Sequence, residues 1–475
     1  MEVVTRRRLM PTANRFASEM RLTIEELARA TATPVDILRA WQDLGLLSSR
    51  GEELEADDIE RVRLLQFVQS RGLGPEAVAR ACQTQGDLLG VFIDSFLGAD
   101  GFRSGDRRAR HSLAEAADVT GLDPAVLQRL WTAAGLADQD EAYDDDVEAL
   151  QGLRMALDAG LPEDALVQIV RVFADALGRV ADAETRLFHH YVHERLRADG
   201  LAGEELMVAT QAVSQPLMGL IEPTVLYFHR KAFQRAQRED LLFHLTEDVT
   251  PPTEVPGEID VTILFVDLSG FTPLTEAMGD AAAARLMERF SDLVRDAARR
   301  CQGTVVKQIG DEFMLAFSDP GSAVHFGLQI EAETSAEPQF PAVRMGAHRG
   351  AVLYREGDYI GATVNVAARV VAEAGRHQLV VTDAVRPAAA VTPGAEVTSL
   401  GTPELKGIGG RLELFEVRRV GHRPERSIDL VCQMELAPDA AAPRLSWHGT
   451  DLRFCSDDCL RIFVASPDKY RVPQP

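Results

Sequence analysis

The hydrophobic rhythm of the chain changes once. Up to about residue 246, apolar positions recur at helical spacing among Ala, Leu, Arg and Glu, broken by short Gly, Pro and Asp punctuation, so an all-α half is expected. Within it a layout repeats at an offset of about 88 to 90 residues. Ile24-Glu25-Glu26-Leu27-Ala28 opens a helix, Pro34-Val35-Asp36-Ile37-Leu38 a second, and Trp41 leads to Gly45-Leu46. Leu113-Ala114-Glu115-Ala116-Ala117, Pro124-Ala125-Val126-Leu127 and Trp131 before Gly135-Leu136 answer them. Each copy continues into a helix ending at Arg71-Gly72-Leu73 or Ala159-Gly160-Leu161, where glycine supplies a left-handed cap, and a further helix starts near Pro75 or Pro162. Residues 1-90 and 91-175 are therefore expected to be two helix-turn-helix-like units, and 176-250 long helices and a linker. In that last stretch Leu217, Leu220, Ile221, Val225, Leu226 and Phe228 fall mostly on one stripe, suited either to core packing or to dimer formation and signal transmission. Thr250 to Gly257, with three prolines, cannot continue a helix. From Val261 the pattern becomes strand, helix, strand, turn and strand, ending near Val420, so 251-421 reads as an α+β domain. After the polar linker Gly421 to Arg426, residues 428-472 form a small Cys-containing module.

Composition narrows the function classes. The 475 residues suggest several domains, and 50 Lys+Arg against 73 Asp+Glu give a net charge of -23, which disfavours nonspecific attraction to nucleic acid or anionic lipid. Any phosphate site must be locally basic. No apolar run approaches the roughly 20 residues that span a bilayer, and Met1 to Arg8 lead into polar sequence, so a cytoplasmic protein with no membrane partner is expected. Three of five cysteines, Cys432, Cys455 and Cys459, gather near the end, which reads as a local metal site rather than a disulfide framework.

Two carboxylates carry the candidate chemistry. Val261 to Val266 is a strand with Asp267 at its end, and the apolar runs flanking Gly310-Asp311 predict a β-hairpin with Asp311 at its tip. Adjacent strand ends could hold two hard cations, although Asp267 alone could cap the next helix and Asp311 alone could be turn chemistry. The surrounding stretches decide between these readings. "VTILFVDLSGFTPLTE", "GTVVKQIGDEFMLAF", "RMGAHRGAV", "GDYIGATVNVAARV" and "ELKGIGGRLELFEV" resemble, in order over 258 to 420, the class III nucleotidyl cyclase catalytic domain. That resemblance implies a ferredoxin-like cyclase fold paired as a homodimer, with active sites between subunits. Asp267, Asp311 and the backbone carbonyl of Leu268 would bind two Mg2+ or Mn2+ ions. Lys307 and Asp358 would recognise adenine, hence ATP rather than GTP; Asn365 would orient the ribose, Arg369 would stabilise the transition state, and Lys406, with Arg411 nearby, would hold the triphosphate.

The flanking regions resemble other families. "LTIEELARATATPVDILRAWQDLGLL" and "IERVRLLQFVQSRGLGPEAV" are similar to the MerR winged-helix domain, yet Thr33 to Trp41 offers only Arg39 as a cation, so DNA binding is not expected. "AVSQPLMGLIEPTVLYFHRKAF" is similar to the autoinhibitory domain of an acid-responsive actinobacterial adenylyl cyclase, which points to regulation. His189, His190 and His193 in "FHHYVHER" are candidate titrating groups for it. Residues 428 to 472 resemble a YHS domain. Cys432, Cys455 and Cys459 would converge on Zn2+ or another soft ion, with His448 or Asp457 as a fourth ligand, or would form a reduced cluster in a small core.

Overall fold

The computed structural model describes residues 21–49, 51, 53–55, 57–93, 110–246, 255–337, 340–421, 427–436 and 442–470. The chain start at Met1 to Arg8, the Pro-rich boundary at 250–254 and the linker at 422–426 lie outside these residues. Two compact units divide the chain, Met1–Val249 and Thr250–Pro475.

In the first unit the two repeats share their local chemistry. The helices Ile24–Thr31 and Leu113–Thr120 both begin with a capping box. Thr23 N donates to Glu26 at 2.8 Å and Ser112 N to Glu115 at 2.8 Å, while the hydroxyls of Thr23 and Ser112 accept the amides of Glu26 and Glu115 at 3.2 Å. The next helices are Val35–Asp43 and Pro124–Ala133. They bury Trp41 and Trp131, each 2% exposed, in separate cores. Each repeat adds a two-stranded antiparallel ribbon, Arg21–Leu22 with Leu54–Glu55 and Arg110–Ser112 with Glu141–Tyr143. Gly72 and Gly160 have φ of 87° and 97°, as left-handed caps require.

Beyond the repeats, helix Glu163–Phe188 widens into a π turn at His189–His193, and a 44-residue helix, Gly203–Thr246, runs through Pro216 and Pro223. Here the core-packing alternative for the apolar stripe fails. Leu217, Leu220, Leu226 and Phe228 are 43%, 57%, 50% and 65% exposed and Ile221 and Val225 are partly buried, so most of the stripe stays on the surface of this chain.

In the second unit the elements are β1 (Glu258–Leu268), α1 (Phe271–Met278), α2 (Asp280–Arg300), β2 (Thr304–Ile309), β3 (Glu312–Phe317), α3 (Pro320–Ala336), β4 (Val343–Arg355), β5 (Asp358–Ile360), α4 (Ala362–Glu373), β6 (Gln378–Thr382), α5 (Arg386–Val391), β7 (Ala395–Gly401) and β8 (Leu414–Arg419). They build a mixed sheet in the order β7-β8-β6-β4-β1-β3-β2, with β5 on β4. The order β4-β1-β3-β2 is antiparallel throughout and, with the intervening helices, is the ferredoxin-like arrangement.

Alternation along β1 feeds two cores, because successive side chains leave opposite faces of a strand. Leu264, Val266 and Leu268 join Phe290 of α2 and Phe326 of α3 on one face. Val261, Ile263 and Phe265 join Ala367 and Val371 of α4 on the other. The approach of α4 to β4 depends on glycine, since a Cβ at Gly346 would sit 2.1 Å from the backbone N of Val371 and one at Gly350 2.7 Å from Thr363 Oγ1. Backbone cannot yield as a flexible side chain can. Gly346→Ala is therefore expected to destabilise this unit by about 1–3 kcal/mol, measured as a lowered denaturant midpoint; an unchanged midpoint would contradict this packing.

The end of the module is built from β9 (Ser427–Ile428), β10 (Glu435–Leu436), β11 (Arg444–Trp447), β12 (Thr450–Arg453) and α6 (Asp457–Ala465). Its apolar core, including Val431, Met434, Phe454 and Phe463, also contains Leu274 of α1.

Candidate active site

Asp267 closes β1, directly opposite Arg344 of β4 in the antiparallel register. Arg344 Nε donates to Asp267 Oδ2 at 2.6 Å, and only 5% of Asp267 is exposed. Asp311 follows Gly310, whose φ of 64° forms the turn between β2 and β3. Burial first, and then the Asp267 charge, push the Asp311 carboxyl up to about 6. Glu312 is pushed up to about 7 for the same two reasons, and Arg344 opposes both shifts. Asp267 and Asp311, within hydrogen-bond reach of each other and with the acidic Glu312 nearby, place oxygen donors and surplus negative charge in a partly buried corner, which fits Mg2+ or Mn2+. The Leu268 side chain is buried in the core, 1% exposed, so it could offer a metal only its carbonyl.

Lys307 of β2 and Asp358 of β5 form an ion pair, each partly exposed. The backbone N of Tyr359 donates to the other Asp358 oxygen at 2.8 Å, which holds the carboxylate in orientation. Asn365 and Arg369 lie one turn apart on the exposed side of α4, with Val366, Ala367 and Val370 buried between and beside them. They share a cleft of about 710 Å³ with Lys406, Arg411 and His348. Lys406 and Arg411 bracket a turn in which Gly407 and Gly410 have φ of 78° and 98°, so backbone and cations can close around an anion. His348 bonds Thr382 Oγ1 through Nδ1 at 2.8 Å, and burial lowers its pKa.

Thus the chain brings together Asp267 with Asp311, Lys307 with Asp358, and Asn365 with Arg369 and Lys406. Among the described residues, no hydrogen bond or ion pair joins one group to another. Arg344, Glu312 and His348 were not singled out from sequence. Arg344 and His348 sit in "RMGAHRGAV", but their opposition to Asp267 and to the cleft appears only once β4 is paired and α4 is laid across it.

In the C-terminal module Cys432 and Cys455 Sγ are 3.4 Å apart and Cys455 and Cys459 Sγ 3.5 Å apart, all as free thiols. The expected fourth partners are corrected. Asp429 completes the cluster, with ligand atoms all within 4.8 Å of one another. His448 instead occupies the exposed β11–β12 turn against Trp447, and Asp457 is exposed in the first turn of α6. Asp429 precedes Cys432 by three positions in "DLVC", a spacing that sequence reading passed over.

Comparison with known proteins finds two families along the chain. Residues 254–418 match the adenylate and guanylate cyclase catalytic domain family, and 45–230 match the adenylate cyclase regulatory domain family. A pH-sensitive adenylate cyclase of Mycobacterium tuberculosis is 29% identical over 379 residues, covering 76% of this chain and 88% of that protein. An adenylate cyclase of Streptomyces griseus is 28% identical over 302 residues, covering 62% of this chain and 70% of that protein. A solved adenylate cyclase of Trypanosoma brucei, in its monomeric state, is 22% identical and covers 36% of this chain and 92% of that one, with a TM-score of 0.33. By these matches the chain carries an adenylate and guanylate cyclase catalytic domain over 254–418, preceded by an adenylate cyclase regulatory domain over 45–230.

Proposed function

We propose that the chain converts ATP to 3',5'-cyclic AMP and pyrophosphate at sites shared between two copies of itself. The observation that carries this reading is the convergence of Asp267 and Asp311, with Asp311 held up to about 6 by burial and by its neighbour. A metal-free pair of this kind favours a bound cation. When bound, two Mg2+ or Mn2+ ions held by Asp267, Asp311 and the Leu268 carbonyl would acidify the ribose 3'-hydroxyl and neutralise the leaving pyrophosphate.

The chain's own residues supply the rest. Lys307 donates to the adenine ring and Asp358 accepts from the exocyclic amine; guanine presents a carbonyl there, which Asp358 would repel. Asn365 holds the ribose so that its 3'-oxygen faces the α-phosphorus. The new bond forms there as the α–β bridging bond breaks, pyrophosphate leaves, and the hydroxyl proton is released. Arg369 stabilises charge on the five-coordinate phosphorus, while Lys406 and Arg411 hold the triphosphate. Because no hydrogen bond or ion pair joins the three groups among the described residues, a partner copy in a homodimer completes each site. Two other classes, a nucleotide-binding regulator without turnover and a DNA-binding regulator, would yield no cyclic product.

Purified protein with Mn2+ and ATP or GTP in parallel is expected to yield cyclic AMP with strong preference for ATP; no cyclic product from either would defeat the proposal. Asp267→Ala and Lys307→Ala should each abolish turnover, and their mixture should regain about a quarter of wild-type activity, because a mixed dimer keeps one intact site. A mixture as inactive as its components would rule out shared sites.

The carboxyls also set a pH dependence of stability. Asp311 and Glu312 hold protons to about 6 and about 7 when folded, but release them near 4 when unfolded. Between these values the folded state binds more protons, so metal-free stability falls as pH rises from about 4.5 to 7. Added Mg2+ should flatten that decline in thermal melts, and a slope indifferent to Mg2+ would contradict the metal assignment.

For regulation, the specific observation is the stacked pair His189 and His193, with ring centroids 5.0 Å apart in the π turn. Glu194 lies 3.5 Å from His189, Thr210 Oγ1 3.4 Å from His193, and Arg197 3.5 Å from Glu194. His193→Asn, which removes this stack, is expected to change the activity of the full chain, and unchanged activity in that variant would eliminate this control.

A further inference from the structure

Asp429, Cys432, Cys455 and Cys459 come from three segments: the turn after β9, the end of β12 and the first turn of α6. Three thiolates around Zn2+ at about 2.3 Å in a tetrahedron stand about 3.8 Å apart. The observed sulfur separations of 3.4 and 3.5 Å are close to that edge, so little rearrangement is needed to admit the ion. Asp429 is fully buried. Its oxygens accept the amides of Val431 at 2.8 Å and Cys455 at 2.7 Å, tying the two cysteine-bearing turns together. Among the described residues no Lys, Arg or His is ion-paired to it. A buried carboxylate beside three thiols calls for a positive partner, and a borderline-soft divalent ion suits that ligand set.

The surroundings of the cluster couple it to the catalytic carboxylate. Gln433 follows Cys432 with a left-handed φ of 63°. Its Cβ lies 2.8 Å from where a Cβ on Gly270 would stand, three residues beyond Asp267. Arg376, whose Nη2 also lies 3.4 Å from that Gly270 position, donates to the Gln433 backbone O and to Oε1 at 3.0 Å each, and His377 Nε2 lies 2.8 Å from Glu435 Oε2. Cys432 and Cys459 share one apolar core with Leu274 of α1, the helix that starts at Phe271. The module is thus wedged against the turn that follows Asp267.

We infer that Asp429, Cys432, Cys455 and Cys459 bind a single Zn2+, and that filling this site holds the Gln433 wedge against Gly270, fixing the Asp267 turn for catalysis. The control over catalysis rests on the cyclase reading above; the metal site does not. The test uses the full, reduced protein. Metal analysis and Co2+ loading are expected to show one ion per chain with thiolate-to-cobalt absorption, lost in Cys432→Ser and Cys459→Ser and weakened about tenfold or more in Asp429→Asn. Hydrogen exchange over residues 268–278 should slow on Zn2+ loading, and ATP turnover with Mn2+ in excess should rise about fivefold or more. Gln433→Gly, which suits the left-handed backbone, should keep the ion while losing both the exchange and the turnover response. A Cys432–Cys455 disulfide in place of the ion, no stoichiometric metal, or metal binding without slower exchange at 268–278 would each overturn the inference. Inactive protein that still binds one ion and slows exchange would sink the cyclase reading instead.

Discussion

β1 and β4 pair through eleven opposed residues, from Glu258 against Leu353 to Leu268 against Val343, and the rest of the catalytic unit is arranged around this ladder. The register puts Arg344 opposite Asp267 at the site end. It also puts Gly346 and Gly350 where α4 must cross, with a backbone contact that admits no Cβ. A one-residue slip would turn every alternating side chain to the wrong face and bring a bulky residue under α4. The carboxylate corner and the cationic face of α4 are therefore both consequences of one pairing.

Electrostatics sharpen the contrast between the parts of the site. The chain as a whole is strongly acidic, at -23, yet the cleft beside α4 collects Arg369, Lys406 and Arg411. The opposite polarity appears at the end of β1, where Asp267, Asp311 and Glu312 face one Arg344. In the proposed function a polyanionic substrate with bound cations would answer both, the cations meeting the carboxylates and the phosphates the basic cleft. Lys307 and Asp358, satisfied by each other, avoid the cost of an unpaired charge, and in the proposed function a base would take both partners.

The C-terminal module shares its apolar core with α1, and Arg376 and His377, just before β6, bond to it. A small module of this size has few apolar residues of its own, so borrowing Leu274 and Phe271 adds burial it would otherwise lack. The same borrowing ties the cysteine cluster to the segment that follows Asp267.

Much was legible from residue order alone. The repeat in the first half followed from the matched spacing of Ile24, Pro34, Trp41 and Gly45 with Leu113, Pro124, Trp131 and Gly135, because helical spacing and helix punctuation act within a few residues. The hairpin at Gly310-Asp311, the α+β character of 251-421 and the clustering of three cysteines were readable for the same local reason. Other features required distant segments to meet. Arg344 became part of the carboxylate corner only through strand register, His348 part of the cleft only through α4, and Asp429, not His448 or Asp457, joined the cysteines through the turns that its own carboxylate bridges. The stripe of Leu217, Leu220, Leu226 and Phe228 shows the limit from the other side. Helical periodicity determined that it lies along one face, but periodicity carries no record of what a face meets, and only the tertiary structure decided that it stays exposed.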